Sequence, residues 1–286
     1  MAPYIGMEDR VGYWGNPTST LDWCEQNYVI TYYVAEFWNT LTNFGIIIPA
    51  IYGLHNSYRQ GFETRYAMCF ALLLLTGIGS YMFHMTLLFQ MQLLDELPMV
   101  WGGSFMLYVL YRARNSFKDG GKTVGIILLL YAIVVTVAYL VNKNPVFHEV
   151  MYAILICIIF VLSIKYNHLH YKKAAHQLFY GGVLLYGTGF TLWNIDNHFC
   201  GNLTYLRDNK MGSNNFFKFL SPGTQLHGWW HIMAGYATYL HILNCIQHRL
   251  HFLGIEYSIQ MSWIGASITI NQNQKKKLLK SYHYQE

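Results

Sequence analysis

Four side chains that could take part in chemistry interrupt an apolar stretch of the chain, residues 77–98. They are Ser80, His84, Asp95 and Glu96, and their neighbours are mainly Leu, Met, Phe and Gly. Polar and ionisable groups are costly inside a bilayer, so within a membrane span they indicate a functional site. On a helix, Ser80 and His84 would share one face, about 6 Å apart along the axis.

A second pair with the same spacing is His227 and His231. An HxxxH pair on a helix can bind one metal ion. Three neutral imidazoles suit Zn²⁺, and three protein ligands leave a position open for water, as in catalytic zinc sites. With His84 as the third ligand, zinc would lower the pKa of that water to about 7 and polarise a carbonyl. Asp95 would accept the water proton, and Ser80 would donate to the developing oxyanion.

Each of these residues also has a plainer interpretation. HxxxH alone is a weak pattern in a chain with 13 His, and a single membrane histidine such as His84 is commonly a hydrogen-bonded packing residue. Asp95 and Glu96 could simply begin a helix, where carboxylates meet the positive end of the dipole. His148 and His198 fall at the same predicted depth, and spacing alone does not exclude them as ligands.

The composition indicates which elements position these groups. Of the 286 residues, 53% are apolar and 12% are charged, whereas a soluble domain averages about 25% charged residues. The chain is therefore predicted to be an all-α integral membrane protein. Because about 20 apolar residues cross a bilayer, we expect seven transmembrane helices, at 34–54, 66–87, 93–111, 123–141, 146–165, 177–195 and 226–247.

The placement of the basic residues predicts the orientation. With the N-terminus luminal and the C-terminus cytosolic, 14 of the 19 Lys and Arg residues lie on the cytosolic side. An eighth span at 252–270 would carry the run Lys275–Lys277 across the bilayer. This region is therefore expected to be an interfacial or membrane-packed tail.

The predicted organisation follows from these spans. A luminal N-terminal segment (1–33) precedes a seven-helix catalytic domain (34–247) and a cytosolic tail (248–286). The first segment lacks the apolar core of a cleavable signal peptide. No basic and aromatic stripe of the kind that binds nucleic acid is present, so the expected partners are the bilayer and its lipids.

The predicted luminal leader, DWCEQNYVITYYVAE, carries several oxygen ligands. They are Asp22, Glu25, Asn27 and Glu36, and clusters of this type suit Ca²⁺, which takes six to eight oxygens. The plainer interpretation is a solvated acidic leader with a helix cap.

The five cysteines divide by predicted location. Cys69, Cys157 and Cys245 lie in spans and are expected to be small packing residues. Cys24 and Cys200 both lie on the luminal side, where disulfides can form. If a disulfide forms within this chain, these two would be its partners.

Several stretches resemble the alkaline ceramidase family, most closely its type 3 members. They are GYWGNPTSTLDWCEQNY, AEFWNTLTNFGIIIP, GSYMFHMTLLFQMQLLDELPM, PVFHEVMY, TLWNIDNHFC and QLHGWWHIMAGYATYLHI, in order over residues 12–245. The family belongs to a superfamily of seven-span hydrolases that also includes progestin and adiponectin receptors. The loop 201–221 and the tail after about residue 250 match poorly.

The resemblance implies hydrolysis of the ceramide amide to sphingosine and a free fatty acid. It also implies a setting in endoplasmic reticulum and Golgi membranes and a preference for long unsaturated acyl chains. A seven-span lipid or peptide receptor of the progestin and adiponectin receptor type is the alternative function. A lipase that cleaves an ester in glycolipid anchors is a further rival.

The resemblance also assigns roles to individual residues. It places zinc on His84, His227 and His231, with Asp95 and Ser80 beside the bound water. It places calcium on the side chains of Asp22, Glu25, Asn27 and Glu36 and on the Trp23 backbone carbonyl. It also implies the Cys24–Cys200 disulfide. His148 and His198 receive no ligand role.

Overall fold

The computed structural model describes residues 10–114, 121–168, 173–207 and 220–283. Most of the predicted loop 201–221 lies outside this part of the chain. The described helices are α1 (Phe37–Thr42), α2 (Phe44–Gln60), α3 (Thr64–Thr86), α4 (Phe89–Ala113), α5 (Gly121–Asn142), α6 (Pro145–His168), α7 (Lys173–His198), α8 (Cys200–Tyr205), α9 (Leu226–Phe252) and α10 (Gln272–His283). A short 3₁₀ turn, Ser221–Thr224, precedes α9.

The all-α prediction needs one correction, in the tail. Strands β1 (Ser258–Met261) and β2 (Ala266–Thr269) form an antiparallel hairpin between α9 and α10. Gly265 takes a φ of 143° at its turn, a conformation that favours glycine. The sequence predicts an interfacial or membrane-packed tail for this region without strands, although the alternation of Ser, Ile and Gln is typical of a strand.

Among the described residues, four helices are long and apolar enough to cross a membrane: α3, α4, α5 and α6. They coincide with the second to fifth predicted spans. Helices α7 and α9, of 26 and 27 residues, lie over the sixth and seventh predicted spans. The chain is therefore a multi-helix membrane protein, and its seven-span topology and orientation remain predictions.

The first predicted span, 34–54, is not one continuous helix. It is divided into α1 and α2 at Asn43, whose Nδ2 donates to the Asn39 carbonyl over 2.9 Å. At the start of α1, the backbone N–H groups of Trp38 and Asn39 donate to the Glu25 carboxylate over 2.7 and 2.8 Å. A buried carboxylate from the leader thus satisfies N–H groups that a helix N-terminus leaves without partners.

Backbone contacts divide the chain into two compact units. The first comprises Met1–Ile47, Leu75–Glu96 and Leu184–Tyr236. Apolar residues of the leader pack in it against the end of α3, and the buried members of this core are Leu21, Trp23, Tyr28, Ala35, Phe83 and Leu87. The residues predicted to bind metal all belong to this unit.

The second unit comprises Ile48–Leu74, Leu97–Val183 and Ala237–Glu286. It contains α5 and α6 and the whole of the C-terminal hairpin. Glu63, just before α3, pairs with Arg65 over 2.5 Å and with Arg249 over 2.7 Å. Both side chains of the Glu63–Arg249 pair are largely shielded from solvent. Replacing either residue alone would therefore leave the charge of the other one buried without its partner.

Candidate metal centre

The three predicted zinc ligands lie together in the first unit. His84 is near the end of α3, and His227 and His231 are one turn apart at the start of α9. Each offers a ring nitrogen, and these atoms all lie within 4.8 Å of one another. All three side chains are buried. Such a group of imidazoles can surround one metal ion.

Two of these histidines are oriented by partners on their Nδ1 atoms. His84 Nδ1 contacts the Glu36 carboxylate, and His231 Nδ1 lies 3.0 Å from the Thr42 hydroxyl. That hydroxyl already donates to the carbonyl of Trp38 or Asn39, so it accepts from His231. When Glu36 is ionised it accepts from His84, so that each Nδ1 carries the proton and each Nε2 keeps a lone pair for a metal.

His227 is held differently. Its ring stacks on Trp23 with centroids 3.9 Å apart and an angle of 23°. Its Nδ1 is buried and has no hydrogen-bond partner among the described residues. Stacking therefore fixes the plane of the ring while leaving its nitrogens available. Together the three imidazoles, two of them oriented through Nδ1, fit the ligand set of a zinc ion.

Ser80 and Asp95 are also brought together. The Ser80 side chain hydrogen-bonds to the Asp95 carboxyl. Gly79 permits this approach, because a Cβ there would lie only 2.1 Å from the Leu94 carbonyl oxygen. Since α3 and α4 meet backbone to backbone at this glycine, Ser80 on one helix reaches Asp95 on the other. The sequence alone does not predict this role of Gly79, whose only signal is the pair Gly77 and Gly79 just before Ser80.

The other candidate residues have separate environments. Glu96 is buried beside Asp95. His198 is exposed, and its Nδ1 bonds the Asn194 carbonyl over 2.9 Å. His148 belongs to the second unit, where its ring lies 5.2 Å from that of Tyr139. Neither belongs to the histidine cluster, which agrees with their having no ligand role in the family pattern.

Three of the four oxygen-bearing side chains of the leader are buried, and the fourth, Asp22, is half-buried. Glu25, Asn27 and Glu36 have exposures of 6%, 8% and 0%, so the solvated part of the plainer interpretation is wrong. The helix-cap part is correct for Glu25, which caps α1. Desolvation raises the pKa of the Glu25 carboxyl to about 7, although its two backbone N–H partners and Arg207 lower it.

Two oxygens in this cluster have no hydrogen-bond partner among the described residues. They are Asn27 Oδ1 and Glu36 Oε1, both buried. The Asp22 and Glu25 carboxyls lie close enough to repel the charge of Glu36. Buried oxygens without donors and carboxylates that repel one another both favour a cation. The donor set is hard oxygen, as Ca²⁺ requires.

The structure joins Cys24 to Cys200 in a disulfide, the pair that the family resemblance implies. Arg207 supports the same place: one Nη donates to the Cys24 carbonyl over 2.8 Å, and the other donates to the Thr224 carbonyl over 2.8 Å. Its guanidinium also lies 4.0 Å from Asp196. Arg207 lies in the loop 201–221, which resembles the family poorly, so the sequence predicts no role for it.

The Ceramidase family profile matches residues 15–271 of this chain. The chain belongs to the ceramidase family. Alkaline ceramidase 3 of Mus musculus is 42% identical over 257 residues, covering 88% of this chain and 91% of the relative. Alkaline ceramidase YPC1 of Saccharomyces cerevisiae is 32% identical over 270 residues, covering 88% and 83%. An alkaline ceramidase of Arabidopsis thaliana is 29% identical over 230 residues, covering 79% and 82%.

These relationships confirm the enzyme class expected from the sequence. This ceramidase is a hydrolase, and the receptor alternative is not favoured. The matched region, residues 15–271, includes the leader, the histidine cluster and the Ser80–Asp95 pair. It also extends over the C-terminal hairpin, which the sequence reasoning had treated as divergent.

Proposed function

We propose that this ceramidase is a zinc-dependent amide hydrolase that cleaves ceramide to sphingosine and a free fatty acid. The observation that carries the proposal is the cluster of three buried imidazoles, whose ring nitrogens lie within 4.8 Å of one another. Two of the three, His84 and His231, have their Nδ1 atoms occupied by Glu36 and Thr42. Partners of this kind orient metal-binding histidines in many sites.

His84, His227 and His231 would hold the zinc ion. When bound, zinc supplies a Lewis acid for an amide carbonyl and lowers the pKa of a water molecule. The burial of the cluster excludes bulk water and strengthens every electrostatic interaction inside it.

Asp95 would act as the general base. Its carboxylate takes a proton from the attacking water as the new carbon–oxygen bond forms. The same proton is then transferred to the leaving nitrogen as the carbon–nitrogen bond breaks, so that the amine leaves neutral. The products are a fatty acid and sphingosine.

Ser80 would have two successive hydrogen bonds. Before the reaction its hydroxyl bonds Asp95 and orients that carboxyl. When negative charge develops on the amide oxygen, the hydroxyl turns to donate to it. The change of partner frees Asp95 to accept the water proton.

Calcium would bind the leader through Asp22, Glu25, Asn27, Glu36 and the Trp23 carbonyl. The support is the pair of buried oxygens without donors, Asn27 Oδ1 and Glu36 Oε1. Such an ion would offset the repulsion among the carboxylates and order the leader against α1. Its role would be structural or regulatory, because Asp95 would transfer the protons and Ser80 would stabilise the oxyanion.

The cellular setting belongs to the proposal as well. Seven spans with a luminal N-terminus would put the leader and its disulfide in an oxidising compartment, and we infer residence in endoplasmic reticulum and Golgi membranes. Long unsaturated ceramides are the expected substrates.

Metal analysis of the purified protein, combined with hydrolysis of a ceramide panel, tests the proposal. His227→Ala and His231→Ala should each lose the bound zinc and the amidase activity while remaining inserted in the membrane. His198→Ala, an exposed histidine in the same unit, is the matched control and should keep both. Full zinc occupancy in both cluster variants would refute the metal assignment. Cleavage of a matched ester lipid without cleavage of any ceramide would refute the substrate assignment.

A further inference from the structure

The C-terminal hairpin is bound to the helices of the second unit through the free edge of β2. The Tyr239 hydroxyl donates to the Ala266 carbonyl over 2.6 Å, and Asn56 Nδ2 donates to the Ile268 carbonyl over 3.1 Å. Beyond the strand, the Ile270 N–H donates to Gln60 Oε1 over 3.1 Å. Helix side chains therefore satisfy alternate backbone groups of β2. An edge with satisfied backbone groups can lie beside apolar surroundings, which an open edge cannot.

These contacts also show how the hairpin runs along α2. Ile270 is bonded to Gln60, the last residue of the helix, and Ile268 is bonded to Asn56 one turn earlier. Near the turn of the hairpin, Ser262 and Ser267 hydrogen-bond the side chain of Tyr52. Tyr52 lies eight residues before Gln60, a distance of about 12 Å along a helix axis. The turn therefore points from the end of α2 toward its middle.

A cluster of charged residues lies at the level, along the membrane normal, at which α2 ends. Glu63 and its partners Arg65 and Arg249 lie just beyond α2, at the start of α3 and near the end of α9. Helix α3 is apolar and long enough to cross a bilayer. The polar zone on each side of the hydrocarbon core is about 5–8 Å thick. A turn about 12 Å inside this level reaches the boundary of the acyl chains.

The turn and the end of β1 just before it carry two large side chains that the protein leaves uncovered. Trp263 is 92% exposed and Met261 is 75% exposed. Tryptophan is enriched where headgroups meet acyl chains, because its ring is apolar and its N–H is polar. The opposite strand, β2, is buried from Ala266 to Ile268, so the hairpin has one face on protein and an apolar tip directed outward.

Helix α10 places positive charge at the other end of this element. Lys275 Nζ donates to the Arg59 carbonyl over 2.6 Å, which fixes α10 beside the end of α2. Lys276 and Lys280 are exposed and, four residues apart, share one helix face. Leu278 on another face is buried. Lysines at the headgroup level attract anionic lipids.

We propose that residues 258–283 form an interfacial anchor that binds anionic phospholipid headgroups. Met261 and Trp263 enter the acyl boundary, and Lys276 and Lys280 contact the lipid phosphates and carboxylates. Apolar burial combined with attraction to anionic lipid is the physical basis of such interfacial binding. The anchor is independent of the metal chemistry proposed above, and it assigns a role to the tail.

A depth-sensitive label tests the anchor in the full-length protein in lipid nanodiscs. Met261→Cys keeps Trp263, and Cys157→Ser removes the exposed free thiol, since Cys69 and Cys245 are buried. An NBD label at position 261 should be quenched by lipids with doxyl groups on the upper acyl chain and protected from aqueous iodide. The same label at Asn273→Cys, on exposed surface of α10, should remain accessible to iodide.

The lysines are tested in discs of phosphatidylcholine with and without phosphatidylserine. Phosphatidylserine should increase doxyl quenching of the label at position 261. The double variant Lys276→Gln and Lys280→Gln should remove this increase, because each lysine contributes about fivefold to the binding of anionic lipid. Lys122→Gln with Lys143→Gln, two exposed lysines elsewhere, removes the same charge and should leave it intact. Iodide quenching at position 261 in both lipid mixtures, or an unchanged response in the Lys276 and Lys280 variant, would overturn the proposal.

Discussion

Glu36 and His84 are in direct contact, through a carboxylate oxygen of Glu36 and Nδ1 of the imidazole. The other carboxylate oxygen, Oε1, has no partner among the described residues. One buried side chain therefore belongs both to the histidine cluster and to the oxygen cluster of the leader. Any ion bound by the leader would act through this residue on the orientation and basicity of His84, a proposed zinc ligand.

Replacing Glu36 should consequently weaken zinc binding as well as calcium binding. Glu36→Gln keeps the size but removes the charge that holds the Nδ1 proton, and partners of this type contribute about 10–100-fold to metal affinity. We expect zinc affinity to fall by that factor, measured by competition with a chelator, and ceramide hydrolysis to fall with it. Unchanged zinc affinity would show that the contact is not functional.

Asp95→Asn should separate catalysis from metal binding. The amide retains the size and much of the hydrogen bonding of the carboxyl but cannot accept the water proton. A general base contributes about 10²–10⁴-fold, so turnover should fall at least a hundredfold while zinc content is retained. Glu96→Gln, at the neighbouring buried carboxyl, should have a much smaller effect. If Glu96→Gln is the inactive variant and Asp95→Asn is active, the base is Glu96.

Calcium should stabilise the protein through the leader. An ion that binds only the folded state adds about 2.7 kcal/mol at a hundredfold excess over its Kd, so the melting temperature should rise on titration. Asn27→Ala removes a ligand that the structure does not link to the histidines, and it should abolish the rise while leaving zinc content unchanged. Glu36→Ala should abolish the same rise and also lower activity. No response of the wild type to calcium would contradict the assignment.

Arg207 should be required for the stability of the leader around the Cys24–Cys200 disulfide. Arg207→Met removes its bonds to Cys24 and Thr224 and leaves Asp196, which is 1% exposed, without its nearby cation. Removing one side of a buried ion pair costs about 3–5 kcal/mol, which thermal unfolding would detect. Adding Asp196→Asn to Arg207→Met should recover part of the loss, because the second change removes the uncompensated charge. No recovery would mean that the backbone bonds of Arg207 dominate.

Gly79→Ala should disturb the approach of α3 to α4. The added Cβ would lie 2.1 Å from a backbone oxygen, which cannot move without shifting the helix. Overpacking of this kind costs about 1–3 kcal/mol, and it should also reduce turnover by separating Ser80 from Asp95. Gly187→Ala is the matched control: a Cβ at that helical glycine meets nothing within 4 Å, and alanine is the better helix former.

The sequence by itself determined the chemical class of this protein. Low charge and long apolar runs indicated membrane helices, and the described part of the chain contains four apolar helices of sufficient length. A spacing of four residues places His227 and His231 on one face of a helix, whatever the rest of the fold. The motifs that resemble ceramidases identified the family, which the family profile confirms. These properties depend on local periodicity or on residue order, so they can be inferred without coordinates.

Only the tertiary structure decided which distant residues act on the site. Thr42 meets His231 across 189 positions of the chain, and no spacing rule connects them. The contact of Glu36 with His84 and the support of Cys24 by Arg207 likewise join elements that the sequence separates. The position of the hairpin at 258–269 also depends on distant contacts, because side chains of α2 and α9 hydrogen-bond to β2. Such contacts depend on how helices pack and where the backbone approaches closely, and local sequence does not contain that information.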